Sequence, residues 1–200
     1  MLKKLFFCLS LICAASLAYA AEEPDHAIHE ELRGVLRTIE SAINSGEYDK
    51  MLPVLSEQVR ATPVTQEFIH NKSEIVPYFT KLFGKGGELA KLEMNLNADQ
   101  LTELAADKSW GIVTGDGIEK YVLSDGRPYE LHTRWTAALI KEADERWRLR
   151  AIHMGVDFLD NPVLAEYKRS AIYMTMAGAG GGLLVGLFFG WLFARRKKKV

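Results

Sequence analysis

Residues Ala171 to Ala194 hold 24 consecutive positions without a charge, and Arg195, Arg196, Lys197, Lys198 and Lys199 follow at once. As a helix rising about 1.5 Å per residue this stretch reaches roughly 36 Å, enough for a hydrocarbon core of about 30 Å. A chain that carries it folds as a water-soluble part and a lipid-soluble part. Five cations directly after a span mark the cytoplasmic end, so Ala21 to Ser170 is expected on the opposite side of the membrane. At the other end, Met1 to Ala20 reads as a secretory signal. Lys3 and Lys4 start it, Leu5 to Leu17 form its apolar run, and Ala18-Tyr19-Ala20 offers a small-x-small cleavage site. If that segment stayed uncleaved, the domain would still lie outside the cytoplasm. The expected localisation is the inner membrane of a Gram-negative-type cell, with the domain in the periplasm and the C-terminus cytoplasmic.

The expected organisation is a signal peptide over 1–20, a soluble domain over 21–160, a juxtamembrane helix over 161–170, a transmembrane helix over 171–194 and a basic tail over 195–200. All 26 acidic residues fall between positions 21 and 170 beside 18 Lys and Arg, which leaves that part at −8. Such a charge repels a phosphate backbone and argues against nucleic acid as a partner. Cys8 and Cys13 both lie in the N-terminal apolar run, so the domain has no cysteine for a disulfide, a thiolate nucleophile or a metal.

Ile28, Leu32, Val35, Leu36, Ile39 and Ile43 recur at helical spacing and predict an amphipathic helix over about 27–45, capped by Asp25 and ended by Gly46. Glu47 to Leu55 suggests a short second helix, and Glu57 to Ile69 one or two strands. Asn71 or Ser73 can open a helix that runs to Phe83. Leu92, Met94, Leu96 and Ala98 alternate with polar residues, the mark of a strand with one wet face. Further strands are expected over Leu101–Ala106, Ser109–Gly115, Gly117–Ser124, Tyr129–Lys141 and Arg146–Val156, with a turn at Ser124-Asp125-Gly126. Asn161-Pro162 interrupts the chain before a helix that leads to the membrane.

Helices followed by a meandering sheet form an α+β pattern. Four pieces in this order carry a resemblance over about positions 27–157. They are Asn44-Ser45-Gly46-Glu47-Tyr48-Asp49, Asn71-Lys72-Ser73-Glu74-Ile75, Asp107-Lys108-Ser109-Trp110-Gly111, and Arg134 to Lys141 turning into Arg146-Trp147-Arg148-Leu149 and ending at His153. With them the chain resembles the nuclear-transport-factor-2-like superfamily in its SnoaL-like branch. The resemblance implies a strongly curved antiparallel sheet wrapped around the long first helix, a cystatin-like cone with an apolar pocket. Members of that family include isomerases, dehydratases, cyclases and hydrolases as well as binding and assembly modules, so it does not fix a function.

His132 and Arg134 share one face of a strand, and His153 lies on the next with Trp147, Leu149 and Ala151. If both sets face the cone, Arg134, His132, His153, Trp135 and Tyr121 are the candidate ligand contacts. Arg134 would then clamp a carboxylate, and His153, Asp157 and His132 are the candidate proton carriers. If strand parity puts a set outside, it is a solvated rim. His132, His153 and Asp157 lack tight metal-ligand spacing, so no metal is expected, and no cofactor. His26 and His29 at the helix entry are expected to be exposed, Asp49 to serve a turn, and Arg146, Arg148 and Arg150 to line a solvated strand face. Gly178, Gly182, Gly186 and Gly190 recur every fourth residue in the span, a spacing that lets two membrane helices approach closely and predicts a homodimer. The functional expectation is a tethered domain that binds a small organic ligand or a partner protein. An isomerase, dehydratase or hydrolase of small molecules and a scaffold with a collapsed pocket are the alternatives.

Overall fold

The computed structural model describes residues 25–197. The segment Met1 to Ala20, with Cys8 and Cys13, falls outside them. So do Lys198, Lys199 and the side chains of Arg196 and Lys197. Helix α1 runs His26–Ser45 and stops where Gly46 enters the left-handed region at φ 72°, so that backbone N–H groups turn back to the carbonyls of Ala42 and Ile43. Its first turn is closed differently from the expectation. The carbonyl of Asp25, not its carboxylate, takes the N–H groups of Ile28 and His29, at 2.9 and 3.1 Å. The Asp25 carboxylate instead pairs with Lys108. His29 is also not exposed: at 6% accessibility it shares the inward stripe with Leu32 and Val35.

A 3-10 turn over Tyr48–Val54 leads into β1, Leu55–Thr62. The Asn71 side chain accepts from the N–H of Ser73, at 3.0 Å, and opens a short turn into α2, Ile75–Phe83. The remaining strands are β2 Leu89–Ala98, β3 Glu103–Leu104, β4 Trp110–Leu123, β5 Pro128–Lys141 and β6 Trp147–Val156. The two strands expected on either side of Asp116 are one. Gly115 and Gly117 lie inside a continuous β4 that pairs with both β2 and β5.

The sheet order is β1-β6-β5-β4-β2, with β3 beside β4. Four pairings are antiparallel and β1 runs parallel to β6, so the sheet is mixed where an antiparallel one was expected. Its curvature follows from what α1 touches. Glu31 accepts the N–H of Trp147 at the start of β6 at 2.9 Å, while Glu40 accepts the N–H of Leu96 on β2 at 3.1 Å. Asn44 completes the second contact by pairing with both the N–H and the carbonyl of Met94, at 2.6 and 2.8 Å. Strands three places apart span about 14 Å, more than the width of a helix, so one helix bonds to both only if the sheet bends around it. The same bonds cover the free edge of β2, which would otherwise expose unpaired backbone groups.

Arg148 departs from the expected solvated face. Its side chain is only 15% accessible and pairs with Glu142 at 2.7 Å and Asp144 at 2.5 Å. Its Nε–H also reaches the carbonyl of Pro53 at 3.2 Å. The pairing holds the Asp144 carboxyl well down, at about 2.

Helix α3 runs unbroken over Pro162–Lys197, and Asn161 caps it by accepting the N–H of Leu164 at 2.9 Å. The stretch Pro162–Leu192 is long and apolar enough to cross a membrane, and none of its most apolar window is buried. Apolar side chains such as Leu183, Leu184 and Phe188 stand more than half exposed, a surface that water disfavours at about 25 cal/mol per Å².

Candidate functional site

On β4 the inward positions are Val113, Gly115, Gly117, Glu119 and Tyr121. Four of these are apolar, glycine or aromatic, and the fifth is a carboxylic acid. Glu119 is 1% accessible. One of its oxygens, Oε2, accepts from the Tyr121 hydroxyl, while the nearby Thr133 hydroxyl donates to the carbonyl of Gly117 at 3.4 Å. The other, Oε1, is buried without a hydrogen-bond partner among the described residues. Burial pushes the carboxyl up from its ordinary range against the pull of the two hydroxyls, which favours the neutral acid. Burial and the neighbouring carboxyl push Tyr121 upward as well, so its phenol stays protonated.

Glu119 and Tyr121 border a cavity of about 90 Å³ between α1, α2 and the sheet. Leu92 and Met94 from β2, Tyr78 and Phe79 from α2, and Ile43 from α1 contribute to its largely apolar wall. Tyr78 is held by Thr65, also on the wall, whose hydroxyl lies 2.9 Å from the phenol oxygen. Among the described residues no Lys, Arg or His lines this cavity. A buried anion would find no countercharge here, so the chamber suits a neutral molecule that offers one hydrogen-bonding group to Oε1.

A second cavity of about 90 Å³ lies at the other end of α1. Trp135, Leu36 and Val113 wall it, and His29, Arg33, Gln100 and Thr102 stand around it. Ile39, Leu96, Leu149 and Ile152 line both chambers and form the partition between them. Leu149→Ala is expected to join the two, to cost about 2–5 kcal/mol of stability, and to let a longer apolar molecule bind. Denaturant unfolding together with a chain-length series of alcohols checks this.

The residues singled out in the sequence divide between the two faces of the sheet. Trp135 and Tyr121 line the cavities, and the Trp135 indole donates to the carbonyl of Asp116 at 2.7 Å. His132, Arg134, His153 and Asp157 do not reach them. His132 is 77% exposed on the outer face, 3.6 Å from Glu130. Arg134 is on the same face and grips Asp99 with both terminal nitrogens, one of them at 2.8 Å. Asp157 accepts the N–H groups of Leu159 and Asp160, at 2.7 and 3.1 Å, which makes it a turn cap. These three border one shallow outer groove, and His153 borders another beside Phe68 and Arg60.

Two physical causes account for the outward set. On β5 the odd positions 133, 135, 137 and 139 face in, which leaves 132 and 134 outside. On β6 the register slips by one residue: Leu139 pairs with Leu149, but Ala138 pairs with Ala151. Arg150 is the extra residue of this bulge, and its guanidinium bonds to Gln58 on β1. A bulge reverses the facing of everything beyond it. Trp147 and Leu149 point in before it, Met154 points in after it, and His153 therefore points out. Asp49 sits exposed in the 3-10 turn. Among the described residues no three His, Cys, Asp or Glu side chains come together as metal ligands.

Solved structures with this arrangement decide the fold. An uncharacterised protein with a cystatin-like fold from Caulobacter vibrioides superposes with a TM-score of 0.54 at 17% identity, over 69% of this chain and 93% of that one. A nuclear transport factor 2-like superfamily protein from Salmonella enterica serovar Typhimurium gives 0.53 at 15%, over 65% and 91%. The fold is that of the nuclear-transport-factor-2-like cone. A type 2 hexachlorocyclohexane dehydrochlorinase shares the cone with a TM-score of 0.59 at 7% identity, over 66% of this chain and 86% of that one. No protein-family model and no curated protein matches the sequence. The cone architecture is thus common to this chain and to proteins of very different sequence, and the chemistry has to be argued from the chain's own side chains.

The sequence does not single out Glu119, because Gly115 and Gly117 resemble turn residues that end a strand on either side of Asp116. A signal was present: Glu119 shares its parity with Val113 and Tyr121, and an acid in register with apolar and aromatic residues marks a polar group on a buried face.

Proposed function

We propose that this protein is a membrane-tethered cone domain that binds a small, neutral, largely apolar molecule, with Glu119 as its polar anchor. The observation that carries this reading is the unpartnered Oε1 of Glu119 beside an otherwise apolar cavity. A buried polar atom left without a partner costs about 1–3 kcal/mol, and a ligand hydroxyl or carbonyl would remove that cost. The cavity is open rather than plugged, which favours a binding domain over a scaffold. Among the described residues no cation lines it, which turns the expected organic acid into a neutral ligand.

The test is native mass spectrometry of the full chain released from mild detergent. A bound small molecule is expected on the wild type and absent from Met94→Trp, which fills the chamber. Equal spectra from the two proteins would sink the reading.

A second reading has its own support. A carboxyl that burial pushes toward the neutral form can pass a proton to or from a ligand, so an isomerase or dehydratase reaction would run through Glu119, with Tyr78 as hydrogen-bond donor. His132, His153 and Asp157 lie on the other side of the sheet from that chamber. Turnover that survives Glu119→Gln would exclude this route.

The tether reading rests on α3. Tyr173 and Trp191 stand 18 residues apart, about 27 Å along a helix, a spacing that suits aromatic residues at the two interfaces of one bilayer. The Arg195 guanidinium lies 3.9 Å above the Trp191 ring, at the end that the basic tail would hold in the cytoplasm. The periplasmic position of the domain follows from that orientation and from the signal-like N-terminus. Gly178, Gly182, Gly186 and Gly190 leave open space where side chains would stand. Pairing of two copies along this stripe would make the protein a homodimer. Gly182→Leu is expected to lower self-association in a membrane two-hybrid reporter by about tenfold, the scale of 1–2 kcal/mol of helix packing. An unchanged signal would move the dimer contact elsewhere.

A further inference from the structure

The way α3 leaves the domain fixes which end of the cone meets the membrane. Strand β6 ends with Val156 opposite Thr133 of β5. Four residues into α3, Glu166 accepts from Arg127 at 3.2 Å and from the Tyr129 hydroxyl. Between Val156 and Glu166 the chain has therefore advanced along β5 toward the β4–β5 hairpin, so α3 is tied to the domain at the hairpin end. Arg127 is itself held by Asp125 at 2.8 Å and lies over the Tyr129 ring. The result is a latch that ties the hairpin to the helix about 7.5 Å, or five residues, before the uncharged stretch begins at Ala171.

The Glu119 chamber lies at this same end. Leu89 on its wall pairs with Leu123, and the N–H of Ser124 in the hairpin turn bonds to the carbonyl of Glu88 at 2.9 Å. Leu82, Phe83, Pro63 and Leu89 line the chamber and are each half-exposed, whereas Met94 and Glu119 deeper in are buried. Tyr121 pairs with Tyr129, which places Glu119 two residues, about 7 Å, farther from the hairpin tip than the latch. The order along the axis that leads away from the membrane is thus an apolar mouth first and a single polar group behind it. The other chamber, near His29, Arg33 and Gln100, lies at the far end.

We infer that the mouth formed by Leu82, Phe83 and Leu89 faces the bilayer surface, and that the ligand is a neutral membrane lipid with one hydroxyl or carbonyl head group, taken up head first. This rests on the tethered binding domain proposed above and names its ligand class. A lipid in the leaflet beneath the domain presents its polar end outward. Moved toward the domain, it enters with that end leading and leaves its chain along the half-exposed leucines and Phe83. The polar end reaches Glu119 with no charge to bury. A fatty acid anion would bury a charge in a chamber without a cation, and a phospholipid would bury a phosphate, so both are disfavoured.

The experiment uses the full chain in phosphatidylcholine nanodiscs that contain hexadecanol carrying a diazirine. After photolysis, adducts are mapped by peptide mass spectrometry. Adducts are expected on Tyr78, Leu82 or Met94 as well as on α3, where lipid contact alone suffices. Hexadecanoic acid with the same diazirine is expected to label the chamber about tenfold less at equal loading, one hydrogen bond and the charge penalty combined. Arg127→Ala with Glu166→Ala should lower chamber labelling in discs several-fold and leave α3 labelling unchanged. In detergent micelles, where orientation does not matter, the same double variant should label like the wild type. Chamber labelling in micelles but not in discs would overturn the inference and leave the binding domain standing. No chamber labelling in either would overturn both. Unlabelled α3 in discs would remove the tether and the inference with it.

Discussion

Alanine at position 115 is expected to destabilise the domain by about 3 kcal/mol or more, among the largest costs of a single methyl group anywhere in it. Gly115 faces inward on β4, and a Cβ there would lie 2.1 Å from the carbonyl oxygen of Asn97 and 2.1 Å from Cζ2 of Trp135. Favourable carbon contacts begin near 3.5 Å, so something must move by more than an ångström. Neither neighbour can do so cheaply. Asn97 belongs to the backbone of β2, which pairs with β4 on one side. Trp135 is 4% accessible and is fixed through its indole to the carbonyl of Asp116. Gly155→Ala is the control, because nothing lies within 4 Å of the added carbon, and it should fall within about 0.5 kcal/mol of the wild type. Denaturant unfolding followed by tryptophan fluorescence separates the two. Equal midpoints would mean that Trp135 does not lie across Gly115.

Glu119→Gln is expected to raise stability at neutral pH and to flatten its dependence on pH. The folded carboxyl titrates above its ordinary 4.5 because burial penalises the anion. Between those two values the folded state holds a proton that the unfolded state has lost. Stability from this group is therefore complete below about pH 4.5 and is lost as pH rises through the folded value, by up to 1.36 kcal/mol per pH unit. Glutamine does not titrate and removes that slope. The salt-bridged acids act with the opposite sign. Arg148 holds Asp144 at about 2, and Arg134 with Thr114 holds Asp99 below its ordinary value, so their contribution is present at neutral pH and fades in acid. Both proteins share that acid limb. The difference between their stability curves should grow from pH 4.5 upward and then level off, and a difference independent of pH would mean that Glu119 is ionised within the fold.

The side of the sheet also explains why Arg134 does not bear on the proposed ligand. Arg134 looked like a carboxylate clamp from its residue type, and it does clamp one. The carboxylate belongs to Asp99 of the same chain, on the outer face. Residue chemistry was legible; the side of the sheet was not. His153 shows why. Its facing depends on one extra residue at Arg150, and nothing in Arg146 to Val156 marks that residue as a bulge. The slip appears only when β6 is paired with β5 on one side and β1 on the other. Glu119 illustrates the converse: glycines that look like turn residues in isolation allow Trp135 and Leu96 to lie across the strand once β2 and β5 flank it.

By itself the sequence determined the features that depend on neighbours along the chain. The 3.6-residue repeat from Ile28 to Ile43 makes α1, the two-residue alternation from Leu92 to Leu96 makes β2, and an uncharged run ended by cations makes a span-length helix. These follow from local geometry and from transfer between water and an apolar medium, which a linear string records. Tertiary structure alone decided which residues share the interior. Strand pairing set the bulge at Arg150, the continuity of β4 and the burial of Glu119, and the Glu166 latch set which end of the cone α3 leaves. Each of these is fixed by hydrogen bonds and steric contacts between residues distant in the chain, and only the folded arrangement brings those residues together.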